Sequence, residues 1–192
     1  MNSSKGRIRI IGGEYRSRLL RVAARPGLRP TPDRVRETLF NWLGQELDGL
    51  ACLDLYAGSG ALGFEAASRG ASRVVMVETD RVALQALEAS RTALGAAQVE
   101  IIGGSASAYL EHSRERFDVV FLDPPFRQNA VPGLLPQLSR LLNAGARVYA
   151  ESATPVPAPA KWRELRRARA GGVSYQLFEW DANDPSGIPG NV

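Results

Sequence analysis

Apolar positions along the chain change period several times, and each change marks an element. Arg7 to Ile11 alternates basic with apolar residues, Gly12-Gly13 follows, and Arg18 to Val22 is another short β-like run. This reads as a β-hairpin or small ribbon with arginines on one face and aliphatics on the other. Tyr15 either packs beside the turn or offers a ring to stack on a base. Residues 23–30 are rich in Pro and Gly and read as a loop. A helix is announced next, with Thr31 as N-cap, Pro32 at the first helical position and Asp33 in the first turn. Val35, Leu39, Trp42, Leu43 and Leu47 make one apolar stripe at helical spacing. Arg34 and Arg36 lie off that stripe, either within reach of a phosphate or cofactor carboxylate or on a solvated face.

From residue 51 onward, runs of strand length alternate with helical patterns. Strands are expected at 51–56, 73–77 (ending at Glu78), 98–102, 117–122 and 147–150. Helices are expected over 61–68 after a glycine turn, over 81–94 with Asp80 as cap, from Ser105, and over about 130–142 with Leu134, Leu135, Leu138, Leu141 and Leu142 inward. Residues 153–160 form a Pro/Ala connector. Two last strands, 163–169 and 173–180, flank Gly171-Gly172 as a hairpin. Alternation of strand and helix predicts an α/β fold with a mostly parallel seven-stranded sheet and an antiparallel C-terminal hairpin. The expected division is a basic extension over 1–30, a main domain over 31–181 and a tail over 182–192.

Charge sharpens the picture. The net charge is +4, but residues 1–36 hold ten basic side chains against Glu14 and Asp33, a local +8 that leaves −4 on the remainder. A basic arm on a mildly acidic body is the footprint of a polyanion binder. Arg7, Arg9, Arg16, Arg18, Arg29 and Arg34 are the candidate contacts. Cys52 is the only cysteine and His112 the only histidine, which argues against a disulfide framework and a His/Cys metal centre and for a reducing cytoplasm. No apolar run is long enough to span a membrane, and none follows Lys5 as a secretory signal. A monomer without metal is expected.

The candidate chemistry sits at strand ends. Asp123-Pro124-Pro125-Phe126 follows the apolar run 117–122. The prolines cannot extend a ladder, so the turn presents a carboxylate, carbonyl oxygens and a ring at the edge where open α/β sheets bind ligands. An exocyclic amine on a nucleobase is a poor nucleophile because its lone pair is delocalised. Asp123 and the Pro124 carbonyl can accept its two N–H bonds and free that pair, while Phe126 stacks on the base. Upstream, Asp54 precedes Ala57-Gly58-Ser59-Gly60-Ala61-Leu62-Gly63, and Glu78 ends the next strand. Gly58-x-Gly60-x-x-Gly63 matches a dinucleotide fingerprint, which keeps a nicotinamide enzyme open. The acid ahead of the loop favours a cationic, amino-acid-bearing cofactor, S-adenosylmethionine, over a pyrophosphate. Glu78 would then accept from the ribose hydroxyls. Ser105 and Ala106 stand where adenine contacts arise, although Ser105 fits equally as a plain helix N-cap.

Four segments occur in order: Arg9-Ile10-Ile11-Gly12-Gly13; Gly27-Leu28-Arg29-Pro30-Thr31-Pro32-Asp33-Arg34-Val35-Arg36-Glu37 running on to Leu43; the loop 57–63; and Asp123-Pro124-Pro125-Phe126. Together they resemble the RsmD family of bacterial small-subunit ribosomal RNA guanine-N2 methyltransferases, over about residues 7–180. The resemblance implies a class I, Rossmann-like methyltransferase fold, S-adenosylmethionine as donor, and N2-methylation of one guanine in 16S ribosomal RNA on a partly assembled small subunit. It places cofactor contacts at Asp54, Gly58, Gly60 and Glu78, with Ala57 and Ser59 in the same loop, and the catalytic turn at Asp123 to Phe126. Ser105 departs from the Asp or Asn often found there, and Ala150-Glu151-Ser152-Ala153 is poorer in acids than the family's Glu-Ser-Glu. Amino-methyl transfer to another RNA or to DNA is the nearest alternative. A non-catalytic RNA-binding assembly factor is the alternative of another class.

Overall fold

The computed structural model describes residues 7–22, 31–125 and 130–182. Among these residues nine strands fall at β1 (Arg7–Arg9), β2 (Leu19–Arg21), β3 (Ala51–Asp54), β4 (Arg73–Glu78), β5 (Val99–Gly103), β6 (Phe117–Leu122), β7 (Leu142–Ser152), β8 (Trp162–Ala170) and β9 (Val173–Trp180). Five α-helices among them are α1 (Asp33–Leu43), α2 (Ala61–Ser68), α3 (Arg81–Leu94), α4 (Ala106–His112) and α5 (Val131–Leu138). The main sheet has the order β5-β4-β3-β6-β7-β9-β8. Its first five strands are parallel, and β9 joins β7 and β8 antiparallel, as the sequence predicts. Among the described residues no helix is long and apolar enough to cross a membrane.

Alternation along the central strands divides the core in two. Cys52, Val74, Met76, Val119 and Phe121 face one side with α1, α2 and the ribbon residues Ile8, Ile10 and Leu20. Leu53, Val75, Val77, Val120 and Leu122 face the other with α4 and α5. Burial on both faces is why these strands read as unbroken apolar runs.

The ribbon β1–β2 pairs Ile8 with Leu20, and in each strand the central aliphatic is buried between exposed neighbours. It docks on α2 through its connection. Gly13 has φ +72°, and a Cβ there would lie 1.7 Å from the Ser68 carbonyl oxygen, so only glycine permits this approach. Tyr15 is buried, with its N–H on Ser68 Oγ at 2.8 Å and Gln98 Nε2 donating to its hydroxyl at 3.2 Å. It packs, and is not a base platform.

Three expectations are corrected. Thr31 does not cap α1: Pro32 holds the cap position without a side-chain bond, and its carbonyl takes the Val35 and Arg36 N–H groups. The Thr31 hydroxyl is engaged by Asp123 instead. The leucine-rich helix stops at Leu138 and a 3-10 turn, Ser139–Leu141, follows it. Leu141 and Leu142 are buried as expected, but Leu142 already begins β7, whose pairing with β6 shifts between Phe117 and Val119 around Gly145, at φ +74°. Strand β3 ends at Asp54, because Leu55 and Tyr56 already turn. The α3 cap is as predicted, with Asp80 accepting from Val82 and Ala83 at 2.9 Å.

Candidate active site

Strand order reverses between β3 and β6, which places the crevice for a ligand beyond their carboxyl ends. The register sets acids along that edge. Glu78 ends β4 opposite Gly103, Asp54 ends β3 opposite Phe121, and Asp123 follows β6. Leu122 pairs with Ala150, so Glu151 of β7 stands beside Asp123, and Tyr175 of β9 stands beside Glu151. These groups line one cavity of about 850 Å³. Asp54, Ala57, Gly58, Ser59, Glu78, Ser105, Ala106, Asp123, Pro124 and Pro125, all singled out from the sequence, lie in its wall. Phe126 and Arg29 lie outside the described residues.

The glycine loop is held by the strands that flank it. Ala57 N–H donates to the Val77 carbonyl at 3.0 Å, and Gly58 N–H donates to Glu78 Oε2 at 2.8 Å. Glu78 Oε1 takes the N–H groups of Thr79 and Asp80 at 2.7 and 2.8 Å, which fixes the carboxylate at the cavity rim. Gly60 is not in the wall. It sits at the N-terminus of α2 with φ +76°, and a Cβ there would meet Leu87 and Phe64 at 2.6–2.7 Å. Its positive φ and close packing require glycine there. Asp54 Oδ2 accepts from Gly63 N–H at 3.2 Å and so ties β3 to α2. Burial pushes the Asp54 carboxyl up to about 7, with Tyr56 and Gly63 N–H groups opposing and the Glu78 charge adding to the rise. Ser105 is the N-cap of α4, accepting from Ala108 N–H at 3.1 Å, and still lines the cavity.

At the turn after β6, Asp123 is half-buried and Pro124 buried. Loss of water pushes the Asp123 carboxyl well above its ordinary value, and the Glu151 and Asp54 charges push the same way. A hydrogen bond with Thr31 opposes them. Glu151, which sequence reasoning did not select, is buried and raised by that burial, while the Tyr149 hydroxyl donating to Oε1 at 2.8 Å opposes the rise. Its signal was available: Val148-Tyr149-Ala150-Glu151 is an apolar strand ending in an acid, as at Asp54, Glu78 and Asp123.

Arginine fates divide. Arg7, Arg9, Arg16 and Arg34 are exposed. Arg18 is exposed, but its guanidinium donates to the Ala93 carbonyl at 2.7 Å, near the end of α3. None of them lines the cavity. Arg36 reaches neither solvent nor ligand: it is fully buried, donating to Glu65 at 3.2 Å, Asp33 at 2.7 Å and the Arg9 carbonyl at 2.9 Å.

A family model described as "Conserved hypothetical protein 95" matches residues 8–179. The chain is 42% identical over 194 residues to Ribosomal RNA small subunit methyltransferase D of Escherichia coli strain K12, covering 96% of each. The chain belongs to the RsmD family. Among solved structures, the yhhF protein of Escherichia coli shares 42% identity with this RsmD-family chain at a TM-score of 0.85, covering 93% of it and all of its own chain. An RNA methyltransferase from Salinibacter ruber, solved with S-adenosyl-L-homocysteine, shares the fold at TM-score 0.63 and 21% identity, covering 85% of this chain and all of its own. The RsmD-family chain thus has the methyltransferase fold expected from its sequence.

Proposed function

We propose that the chain methylates N2 of a guanine in small-subunit ribosomal RNA, with S-adenosylmethionine as donor and a partly assembled subunit as substrate. The observation that carries this reading is the placement of Asp123 and Pro124 in one cavity with Asp54, the glycine loop and Glu78. The wall suits the cofactor. Glu78 and Asp54 end adjacent strands beside the glycine loop, about 5 Å apart across the sheet at ordinary strand spacing. Acids along that span match hydroxyl and ammonium donors and would repel a pyrophosphate, which sets aside the nicotinamide reading. When bound, the cofactor supplies an electrophilic methyl group on sulfur. Glu78 accepts from the ribose, the loop backbone follows the amino-acid portion, and Asp54 provides negative charge. Asp123 and the Pro124 carbonyl accept from the target amine, hold it in position and free its lone pair. The amine must leave any duplex to enter this cavity.

The test is transfer of labelled methyl to unmodified small subunits, free small-subunit RNA and duplex DNA, followed by digestion to nucleosides. N2-methylguanosine from subunits is the expected product. Label in DNA or in another nucleoside overturns the substrate, and cofactor binding without transfer to any substrate favours an assembly factor.

Asp54 makes cofactor binding dependent on pH. Its carboxyl, raised to about 7, holds a proton in mildly acidic solution. Affinity for the cationic cofactor is therefore expected to rise about tenfold per pH unit below 7 and to level off above it, with proton release on binding. Calorimetry in buffers of different ionisation enthalpy measures both. A flat profile between pH 5 and 8 would remove Asp54 from the cofactor's field.

The exposed ribbon arginines predict a salt effect. Arg7→Gln, Arg9→Gln or Arg16→Gln should each weaken RNA binding and lower the log–log salt slope by about one, the release expected per lost phosphate contact. Unchanged slopes would take the ribbon out of the interface.

A further inference from the structure

Glu151 has no structural account in the fold. It is a buried acid with no Arg, Lys or His ion-paired to it among the described residues. Burying a carboxylate is costly unless donors satisfy it. Among the described residues the one side-chain donor to it is the Tyr149 hydroxyl, on Oε1. Glu151 faces the same cavity as Asp123 and stands at the matching position on the next parallel strand, about 4.8 Å across the sheet. Two acceptors are therefore set side by side: one for the amine that reacts, and one for whatever lies next to that amine.

What lies next to it differs among the bases. The N2 amine of guanine is flanked by a ring N1–H, a donor. The N6 amine of adenine is flanked by N1 and the N4 amine of cytosine by N3, both bare lone pairs. A carboxylate beside Asp123 attracts the first and repels the other two. We propose that Glu151 selects guanine, its carboxylate accepting the N1–H of the target base while Asp123 and the Pro124 carbonyl accept from N2. This rests on reading the cavity as a guanine-N2 site. Such an assignment also supplies the missing donor for the buried acid, and it explains how an acceptor turn indifferent to base identity becomes specific. A site built to bond an N–H rejects analogues lacking it far more strongly than a merely shaped pocket does.

The test compares two subunit RNAs that differ only at the target nucleotide, guanine in one and 2-aminopurine in the other. 2-Aminopurine keeps the amine, replaces N1–H by a lone pair and lacks O6, so the Glu151 variants isolate the N1 contact. The wild-type chain is expected to prefer guanine by roughly 100-fold in kcat/KM. Glu151→Gln keeps an oxygen for Tyr149 and offers an amide N–H to the lone pair, so the preference should shrink by about tenfold or more. A wild-type ratio near one overturns the proposal without any variant. So does a Gln variant that slows both substrates by the same factor, the mark of a purely structural role. Should that variant fail to fold, Glu151→Asp, which retains the charge, is expected to lose rate on guanine yet still reject 2-aminopurine. Equal use of both substrates by the Asp variant overturns the proposal. Absence of N2-methylguanosine from the wild-type chain would instead overturn the reading of the cavity itself.

Discussion

Asp123→Ala is expected to lower methyl transfer by about 10²–10⁴-fold, the usual effect of losing a positioned proton acceptor, with cofactor affinity nearly unchanged. The separation follows from the sheet. The proposed cofactor wall is built on β3 and β4, where Gly58 N–H binds Glu78 and Gly63 N–H binds Asp54. Asp123 follows the next strand, β6, and bonds with Thr31 instead. Alanine removes the acceptor for the target amine and leaves the loop bonds intact. Single-turnover transfer and calorimetric cofactor titration read the two effects apart, and equal losses in both would sink this division of roles.

Stability should move the other way. Burial and the neighbouring Glu151 and Asp54 charges raise the Asp123 carboxyl above its value in an unfolded chain. The folded state therefore holds extra protons, and stability falls as pH rises from the ordinary carboxylate range through the raised one. Removing Asp123 takes one member from a crowded set of acids. The Ala variant should lose less stability over that pH interval than the wild-type chain, although most of its activity is lost. A variant that melts lower than wild type at neutral pH would show that the Thr31 bond outweighs the crowding of acids.

The acids that define the site could be found in the sequence because each is a local event, an apolar strand followed by a carboxylate. Asp54, Glu78 and Asp123 met that pattern within their own segments, and the sheet then brought them together. Glu151 meets it too, but its meaning depends on register, since it matters only because Ala150 pairs with Leu122. Thr31 carries every local mark of an N-cap, and its actual partner lies far along the chain at Asp123. Arg36 reads, like Arg34, as either a phosphate or cofactor-carboxylate contact or a solvated side chain. It is buried because Glu65 waits for it in α2, a helix whose other residues are small or apolar and whose docking surface no periodicity reveals. Local propensity and patterning thus account for the elements and for most of the cavity wall. Pairings between distant segments account for what was misread.

Glu65→Ala is expected to be the most destabilising single change considered, at about 3–5 kcal/mol, the range for breaking a buried ion pair. Glu65 is fully buried, and its carboxylate joins three parts of the chain. It accepts the N–H groups of Ile11 and Gly12 from the ribbon, each at 2.8 Å. It binds Arg36 of α1 at 3.2 Å and Arg69, just beyond α2, at 2.9 Å. Arg69 in turn lies over the Phe40 ring at 4.7 Å. Alanine would leave the fully buried Arg36 with Asp33 as its remaining anion, the largely buried Arg69 without its Glu65 partner, and two backbone donors without an acceptor. Exposed pairs such as Arg73–Glu100 are worth at most about 1 kcal/mol, so the two kinds of variant should be clearly separable by thermal melting. For a chain of this size the drop in Tm should be on the order of 10 °C. Glu65→Leu combined with Arg36→Met should recover part of the loss, because it removes one of the two buried cations that Glu65 serves together with Glu65 itself. The same change should weaken RNA binding without touching an exposed arginine, since the bonds at Ile11 and Gly12 hold the strand that carries Arg7 and Arg9 against the body of the enzyme. A Glu65→Ala chain that melts within a few tenths of a kcal/mol of wild type, or that binds RNA with an unchanged salt slope, would show that the apolar contacts of Ile8, Ile10 and Leu20 hold the ribbon in place without the ionic hub.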